Sequence, residues 1–584
     1  MKKIIAYLLI AVAGISLNGC YDLDTYPGDR MSQNLLWKTE EQVKEGIMGV
    51  YSIMKHYYFF GGMYLFDGLG ETACVNEDRA NPFIKGTVNV RTSEISSTWT
   101  TVYEAVQRAN LFLRMVSDVD CLDTETKAGF IGEAKFLRAL YYFHGLNLWG
   151  GIPYYDETTN LGLEYSTMKK PRCSAGELRS YILSDLDEAI ATLPVKWDDE
   201  NYGRATKGAA YALRGKVYLY NKEWKNAIAD FEEVVYNKSY NYGYALDPDY
   251  ARIFKLYNGE KSPEMIFSIQ NKGGVETPLG MSLNHHLGTR CSYGSCWNNL
   301  MPSVALVDMY EYPDGKPFNW EDIFPGYNTT PVANRAAFRK QCLSVQINSE
   351  GNLAGLRSAD TAKIANAYRN RDPRLTANII TPYSWYKGWY INEKKDFLFA
   401  LDNNVQGILS GITMRNEFGW ITYFYRKFVT EYNLDGAITD RGNTPFEFPL
   451  IRYADVLLML SEAYNEDGQL SKAVTELNKV RARPSVHMPG LNSGPVWMAV
   501  TSKEQMAERI RKERALELVA EGHRYNDLRR WGWNIASAAL SADGMVNIYG
   551  ERLYARVFEQ RNMLWPISDY VIEKNETILQ NPGW

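Results

Sequence analysis

Residues 211–234 read YALRGKVYLYNKEWKNAIADFEEV, and their spacing decides the fold. Tyr211, Gly215 and Tyr218 fall on one face of a helix, and Ala227, Phe231 and Val234 on one face of the next. Asn221-Lys222-Glu223 is the turn between them. The same pattern recurs 246 residues on as Leu457, Ser461 and Tyr464, then Ala473, Leu477 and Val480, with Asp467-Gly468 at the turn. A small residue in the middle of the first helix lets two antiparallel helices close up, while the larger chains fill the groove toward the next pair. Two six-position matches in one register predict an all-α scaffold of tetratricopeptide-like helix pairs. Such pairs cannot bury their apolar faces alone, so other helices should stack beside them.

Those other helices are visible on either side. Residues 98–117 carry Val102, Ala105, Val106, Ala109, Leu113 and Val116 at helical period. Residues 127–149 form a longer run that stops at Gly150-Gly151-Ile152-Pro153. Residues 175–193 follow Ser174, an N-cap with Glu177 three positions on as in a capping box, and end at Pro194. Residues 240–445 differ: they are rich in Gly, Pro, Asn and aromatics, with short strand-like runs such as 265–269. That is too long for a connector and predicts an insertion on a helical base. A second loop-rich stretch covers residues 57–97. The domain reading is a single unit over 20–584, with helical base 30–240 and 445–535, an insertion carrying short strands at about 240–445, and a C-terminal segment 536–584.

The first residues carry an address. Lys2 and Lys3 precede an uncharged apolar run over 4–17, too short for the roughly 20 residues of a spanning helix and suited to a secretory h-region of about 7–15. Leu17-Asn18-Gly19-Cys20 then resembles a lipoprotein signal, although Asn18 is a less usual residue there, and an ordinary signal peptide with a chance cysteine is the plainer alternative. Cleavage after residue 19 would expose Cys20 for acylation, and each buried methylene of its acyl chains contributes about 0.8 kcal/mol to membrane anchoring. The mature chain is expected to be anchored to a membrane, not to span it.

Composition narrows the function. A formal net charge of −5 provides no basic field for nucleic acid. With 41 tyrosines and 15 tryptophans, some rings must pack the core, and those in loops are available as stacking surfaces. Beyond Cys20, the cysteines are Cys74, Cys121, Cys173, Cys291, Cys296 and Cys342, too sparse for a disulfide framework, with Cys291 and Cys296 the only close pair. There is no HExxH, phosphate loop, dinucleotide fingerprint or GxSxG run, and no cofactor is expected.

Several longer blocks resemble one family. The run over 133–143, EAKFLRALYYF, is followed by LWGGIP at 148–153; PLIRYADVLLM at 449–459 leads into SEAY at 461–464. RKERALE at 511–517 continues to EGHRYNDLRRW at 521–531, and the chain closes with LWPI at 564–567 and NPG at 581–583. In this order they resemble the SusD/RagB family of Bacteroidetes lipoproteins over nearly the whole chain. The resemblance implies a tetratricopeptide-like helical protein tethered to the outer leaflet of the outer membrane. It also implies a binding role without catalytic activity, as a lid on a SusC-like TonB-dependent transporter that takes up a nutrient, usually a glycan.

A sugar ring packs its C–H face on Trp or Tyr and needs amides, carboxylates or guanidinium groups for its hydroxyls. Three loops offer such chemistry. Residues 293–299 hold Tyr293, Trp297, Asn298 and Asn299, where Trp297 either presents a stacking face or packs beneath the loop. Asn76, Asp78 and Arg79 form a polar cluster that binds hydroxyls or is simply a solvated loop. Residues 383–390 bring five large rings, Trp385 and Trp389 among them, that line a groove or cover a small strand pair. Trp99 and Tyr103, one turn apart, read as helix packing. Glu513, Glu517 and Glu521, interleaved with Arg511, Lys512 and Arg514, read as salt-bridging structure joined by Arg524, Asp527, Arg529 and Arg530. His285-His286 near Cys291 and Cys296 matches no strong zinc spacing, leaving a local disulfide or free thiols ahead of a metal site.

Three rivals remain: a surface glycoside hydrolase, which needs two carboxylates about 5–10 Å apart; a scaffold that binds only the transporter; and the same import role with a peptide or other non-glycan cargo.

Overall fold

A computed structural model describes residues 37–75, 82–159, 168–274, 279–343, 358–399, 401, 422–541 and 545–584. The signal segment 1–19, Cys20, Asn76, Asp78 and Arg79 lie outside the described residues.

The helices form where the apolar period predicts them. After α1 (Glu40–Ser52), α2 spans Ser93–Ser117 and α3 Thr124–Trp149. α3 begins three residues before the expected start because its first turn, Thr124-Glu125-Thr126-Lys127, carries no hydrophobic signal, whereas α2 starts earlier with Ile95 already buried in its first turn. Asp123 caps α3 by accepting from the amides of Glu125 and Thr126, both at 2.9 Å. Gly150 ends it in a left-handed conformation, φ 74°. α4 (Ala175–Thr192) opens on the expected capping box: Glu177 N donates to Ser174 Oγ at 3.1 Å, and Ser174 N to Glu177 Oε2 at 2.7 Å.

α5 (Lys207–Tyr220) and α6 (Trp224–Tyr236) are the first helix pair, and α7 (Tyr453–Glu466) and α8 (Leu470–Arg481) the second. The small residue matters as the sequence implies: a Cβ on Gly215 would stand 2.6 Å from the Phe231 ring. In the second pair, buried Ser461 donates from Oγ to Ala473 O at 2.7 Å. The two pairs also stack directly on each other, α6 against α7. Tyr236 donates to Glu476 at 2.6 Å across that seam, and Tyr464 donates to Glu232.

The insertion leaves and rejoins this stack at one place. β2 (Met265–Ile269) pairs antiparallel with β6 (Phe448–Arg452), both fully buried. Around this clamp, β1 (Ala73–Val75) pairs with β3 (Leu300–Pro302), and β4 (Trp385–Tyr390) forms a hairpin with β5 (Glu393–Leu398). Among the described residues no helix is long and apolar enough to cross a membrane.

The acidic triplet is structural, as expected, but its partners differ from those the sequence suggested. α9 (Lys503–Glu517) ends at Glu517, so Glu521 lies past the helix rather than on its face. Glu517 meets Arg374, Arg452 and Arg483, each at 2.8 Å, and Glu521 meets Arg452 at 2.7 Å and Lys427 at 2.6 Å. Glu513 meets Arg374 at 2.7 Å and Arg481 at 3.0 Å. The neighbours expected to pair locally point elsewhere: Lys512 to Glu311, and Arg514 to Asp455 and Asp527. Arg524 pairs with Glu71, and Arg530 with Glu462 and Asp527. Arg529 has no ion-pair partner among the described residues. Glu264 meets Arg452 at 2.7 Å and Arg483 at 2.5 Å, and because Glu264, Arg374 and Lys427 come from the insertion, this network bolts it to the helical base.

Candidate functional site

The 293–299 loop is held as a compact turn. Thr289 O accepts from Ser292 N at 2.9 Å and from Cys296 N at 3.1 Å, and Asn284 Nδ2 donates to Tyr293 O at 3.1 Å. Arg441 braces the far side, donating from Nη1 to Gly294 O at 3.1 Å and Ser295 O at 2.8 Å.

The β4 hairpin docks on this loop, so two regions named separately in the sequence form one surface. Trp389 N donates to Cys291 O at 2.7 Å, and the hydroxyls of Tyr386 and Ser292 bond at 2.7 Å. Tyr293 meets Trp389 edge-on at 5.2 Å. The approach depends on Gly388, where a Cβ would lie 2.3 Å from Cys291 O. Gly388→Ala is therefore expected to cost about 1–3 kcal/mol through overpacking, read as a lower urea midpoint together with a change in tryptophan fluorescence. A variant with the parent midpoint and spectrum would contradict the close docking. Along β4 the alternation puts Tyr386 inside and leaves Trp385 58% exposed, as a hairpin with one solvent face requires.

Trp297 is half-buried. Its ring meets His285 edge-on at 4.5 Å, and the Arg441 guanidinium lies 5.1 Å from its centre. Asn298 turns inward in a left-handed conformation, φ 47°, with its side chain buried and both amide atoms without a hydrogen-bond partner among the described residues. Asn299 faces the other way: its Nδ2 lies 2.7 Å from His286 Nδ1, and it lines a cavity of about 480 Å³.

That cavity opens within the loop layer. Tyr57, Tyr58, Glu94, His286, Asn299 and Trp565 form its walls, and Val75 and Pro82, which flank residues 76–81 in sequence, lie on its lining. A strip of rings runs beside it. Tyr58 meets Tyr57 at 5.2 Å, Tyr57 meets His286 at 5.8 Å, His286 stacks on His285 at 4.9 Å, and His285 meets Trp297. Apolar ring faces beside amide, imidazole and carboxylate groups suit a ligand that is part C–H surface and part hydroxyl. Sequence reasoning missed Tyr57, Tyr58 and His286 as wall residues. Adjacent tyrosines at the start of a loop-rich stretch were the available signal.

The His285-His286 pair is used as rings. Among the described residues no group of three or more His, Cys, Asp or Glu side chains is placed to hold a metal. Cys291 and Cys296 are free, buried thiols, and burial pushes Cys291 up to about 12. Trp99 and Tyr103 pack as expected, 5.2 Å apart with Trp149 5.0 Å from Trp99.

Beneath the cavity, the 3-10 run Phe60–Leu69 buries Asp67, which accepts from Arg524 N at 3.4 Å. Burial pushes this carboxyl up to about 7, against the opposing pull of the Arg524 and Gly522 amides. A raised folded-state pKa means stability that is complete below the unfolded value of about 4 and lost as pH rises through about 7. Asp67→Asn should remove that loss. The gap between variant and parent urea midpoints is expected to widen in the variant's favour from about pH 4 to about pH 8. A gap independent of pH would show that Asp67 does not titrate in this range.

Comparison with known proteins places this geometry. Residues 263–584 match the model of the SusD family, and residues 23–219 match a model described as starch-binding and associating with outer membrane. SusD-like protein P25 of Formosa agariphila is 25% identical, covering 91% of this chain and 90% of that protein. A crystal structure of a SusD-like protein from Bacteroides fragilis superposes with a TM-score of 0.74 at 23% identity, over 96% of this chain and 100% of that one. A laminarin-binding SusD-like protein superposes with a TM-score of 0.65 at 24% identity, over 94% and 100%.

Proposed function

Because the chain belongs to the SusD family, we propose that it captures an oligosaccharide at the cell surface, associates with the outer membrane through acylated Cys20, and serves as the lid of a SusC-like TonB-dependent transporter. The observation that carries the glycan reading is the cavity of about 480 Å³ flanked by the ring strip from Tyr58 to Trp297, with Asn299, His286 and Glu94 as polar partners. The description of the matched N-terminal model and the laminarin-binding relative support the same ligand class. The 293–299 loop and the residues 76–81 that hold Asn76, Asp78 and Arg79 are the proposed contact segments, with Tyr293, Trp385 and Trp389 beside them. Binding without cleavage is the chemistry proposed here.

A glycan panel that includes starch and laminarin oligosaccharides, presented to the mature chain, tests this. The expected result is binding to at least one glycan class with no shorter sugars released, and recovery of a TonB-dependent transporter when the tagged protein is purified from its own outer membrane. Release of shorter sugars would make it an enzyme. Absence of all glycan binding would move the cargo to another class or leave a purely transporter-facing role.

A further inference from the structure

We propose that a second cavity, between α3, α4, α5 and the helix α10 (Arg524–Arg530), binds a carboxylate through the buried guanidinium of Arg529. The cavity measures about 240 Å³ and runs from exposed Ala175 and half-buried Arg179 at its rim, past Tyr220 and Phe143, to buried Asn526 and Arg529.

Arg529 is the only cation on its lining with no carboxylate partner among the described residues, its guanidinium lying 4.4 Å from the centre of the Tyr525 ring. Neighbouring Arg530 is paired with Glu462 and Asp527, and Arg179 stands 3.8 Å from Glu223. Arg529 instead donates from Nη1 to the carbonyls of Asn147 at 2.9 Å and Met563 at 3.0 Å, and from Nη2 to Asn526 Oδ1 at 2.6 Å. Its Nε is buried without a hydrogen-bond partner among the described residues. Neutral acceptors satisfy hydrogen bonds but supply no counter-charge, and a buried cation without one is costly. An entering carboxylate supplies both the charge and an acceptor for Nε, in the geometry that guanidinium groups favour.

A smaller chamber of about 50 Å³ adjoins this floor, sharing Phe143, Asn147, Tyr220 and Asn526 with it. It holds His144, whose buried Nε2 likewise lacks a hydrogen-bond partner among the described residues. Burial, and then the Arg529 charge, hold this imidazole down at about 3, so it is neutral at physiological pH and adds no second charge. Two orphaned polar atoms in adjoining spaces thus mark the inner end of a route that starts at the surface.

Thermal unfolding and calorimetric titration of the mature chain with sodium acetate and sodium succinate test this, with sodium chloride and acetamide as controls. The expected result is a saturable rise in Tm with the carboxylates alone. Two variants locate the effect. Ala175→Trp fills the exposed rim without touching Arg529, and Arg529→Gln removes the charge; each should weaken carboxylate binding roughly tenfold or more. If Arg529→Gln does not fold, Ala175→Trp decides alone. A tripeptide acid compared with its amide distinguishes the source: tighter binding of the acid than of acetate, again lost in Ala175→Trp, identifies a peptide carboxylate, and acetate or succinate binding without that preference identifies a free organic acid. No response to any carboxylate, an equal response to acetamide, or full binding in Ala175→Trp would overturn the proposal and leave ordered water as the occupant.

Discussion

Arg452→Met is expected to destabilise the chain by at least about 3–5 kcal/mol, and loss of soluble protein is a consistent outcome. Arg452 is wholly buried, and all five of its N–H groups are used. Nη1 donates to Glu264 at 2.7 Å and Glu517 at 2.8 Å, Nε to Glu521 at 2.7 Å, and Nη2 to Glu521 at 2.9 Å and the Glu517 carbonyl at 2.7 Å. Methionine fills similar space but strips one cation from three buried carboxylates, leaving Arg374, Arg483 and Lys427 to balance them. Breaking one member of a buried network costs far more than the network contributes over an apolar packing of the same shape, because uncompensated charge is left behind. The effect should depend on pH. Burial raises the Glu517 carboxyl, but Arg483, Arg452 and Arg374 more than offset this and hold it well below the carboxylate range. A depressed folded-state pKa means stability present above about 4.3 and lost as pH falls through the folded value. Removing Arg452 weakens that depression, so the variant's deficit should be greatest near neutral pH and shrink on acidification. Urea midpoints of parent and variant across pH measure both claims. Arg91→Met, which breaks an exposed pair with Asp569, is the control and should change little. An Arg452→Met protein as stable as the parent would mean the insertion is held to the base by packing alone.

The sequence exposes the parts of this architecture that repeat locally. Gly215 opposite Phe231, and Ser461 in the same register, carry the helix pairs because a helical period and a small residue are local signals. The stacking of one pair on the other is not local. It is made through Tyr236 with Glu476 and Tyr464 with Glu232, polar contacts at helix edges that no hydrophobic period encodes. The acidic triplet was legible as structure for the same reason, yet its partners were not. Helical spacing suggests Arg511, Lys512 and Arg514, and the fold supplies Arg374, Arg452 and Arg483 from distant segments. At the site, Tyr293 and Trp389 could each be named as ring-bearing loop residues. Their meeting depends on Gly388 admitting Cys291 O, a close approach that leaves no pattern in sequence. Asn298 shows the converse, since neighbouring amides look alike in sequence while one left-handed residue turns the first inward and leaves Asn299 on the cavity wall.

That division sets the order of effects expected on glycan binding. Tyr57→Ala should weaken binding by roughly tenfold or more while sparing the fold, because Tyr57 is 46% exposed and its ring stands on the cavity wall. Asn299→Ala should also weaken it, by removing an amide that both lines the cavity and bonds His286. Trp297→Ala should abolish binding, but its ring packs on His285 and lies under Arg441, so part of that loss would come from a loosened loop. Trp297→Phe separates the two causes: it keeps an edge against His285 and a ring face, and so should bind more tightly than the alanine variant at near-parent stability. Titration calorimetry with the best glycan from the panel, paired with urea midpoints, gives each variant an affinity and a stability to compare. If Tyr57→Ala and Trp297→Ala both keep the parent affinity at parent stability, the ring strip is not the contact surface. The binding face would then be the hairpin side, where Trp385 is exposed and Trp389 meets Tyr293, and alanine at those three rings becomes the decisive set.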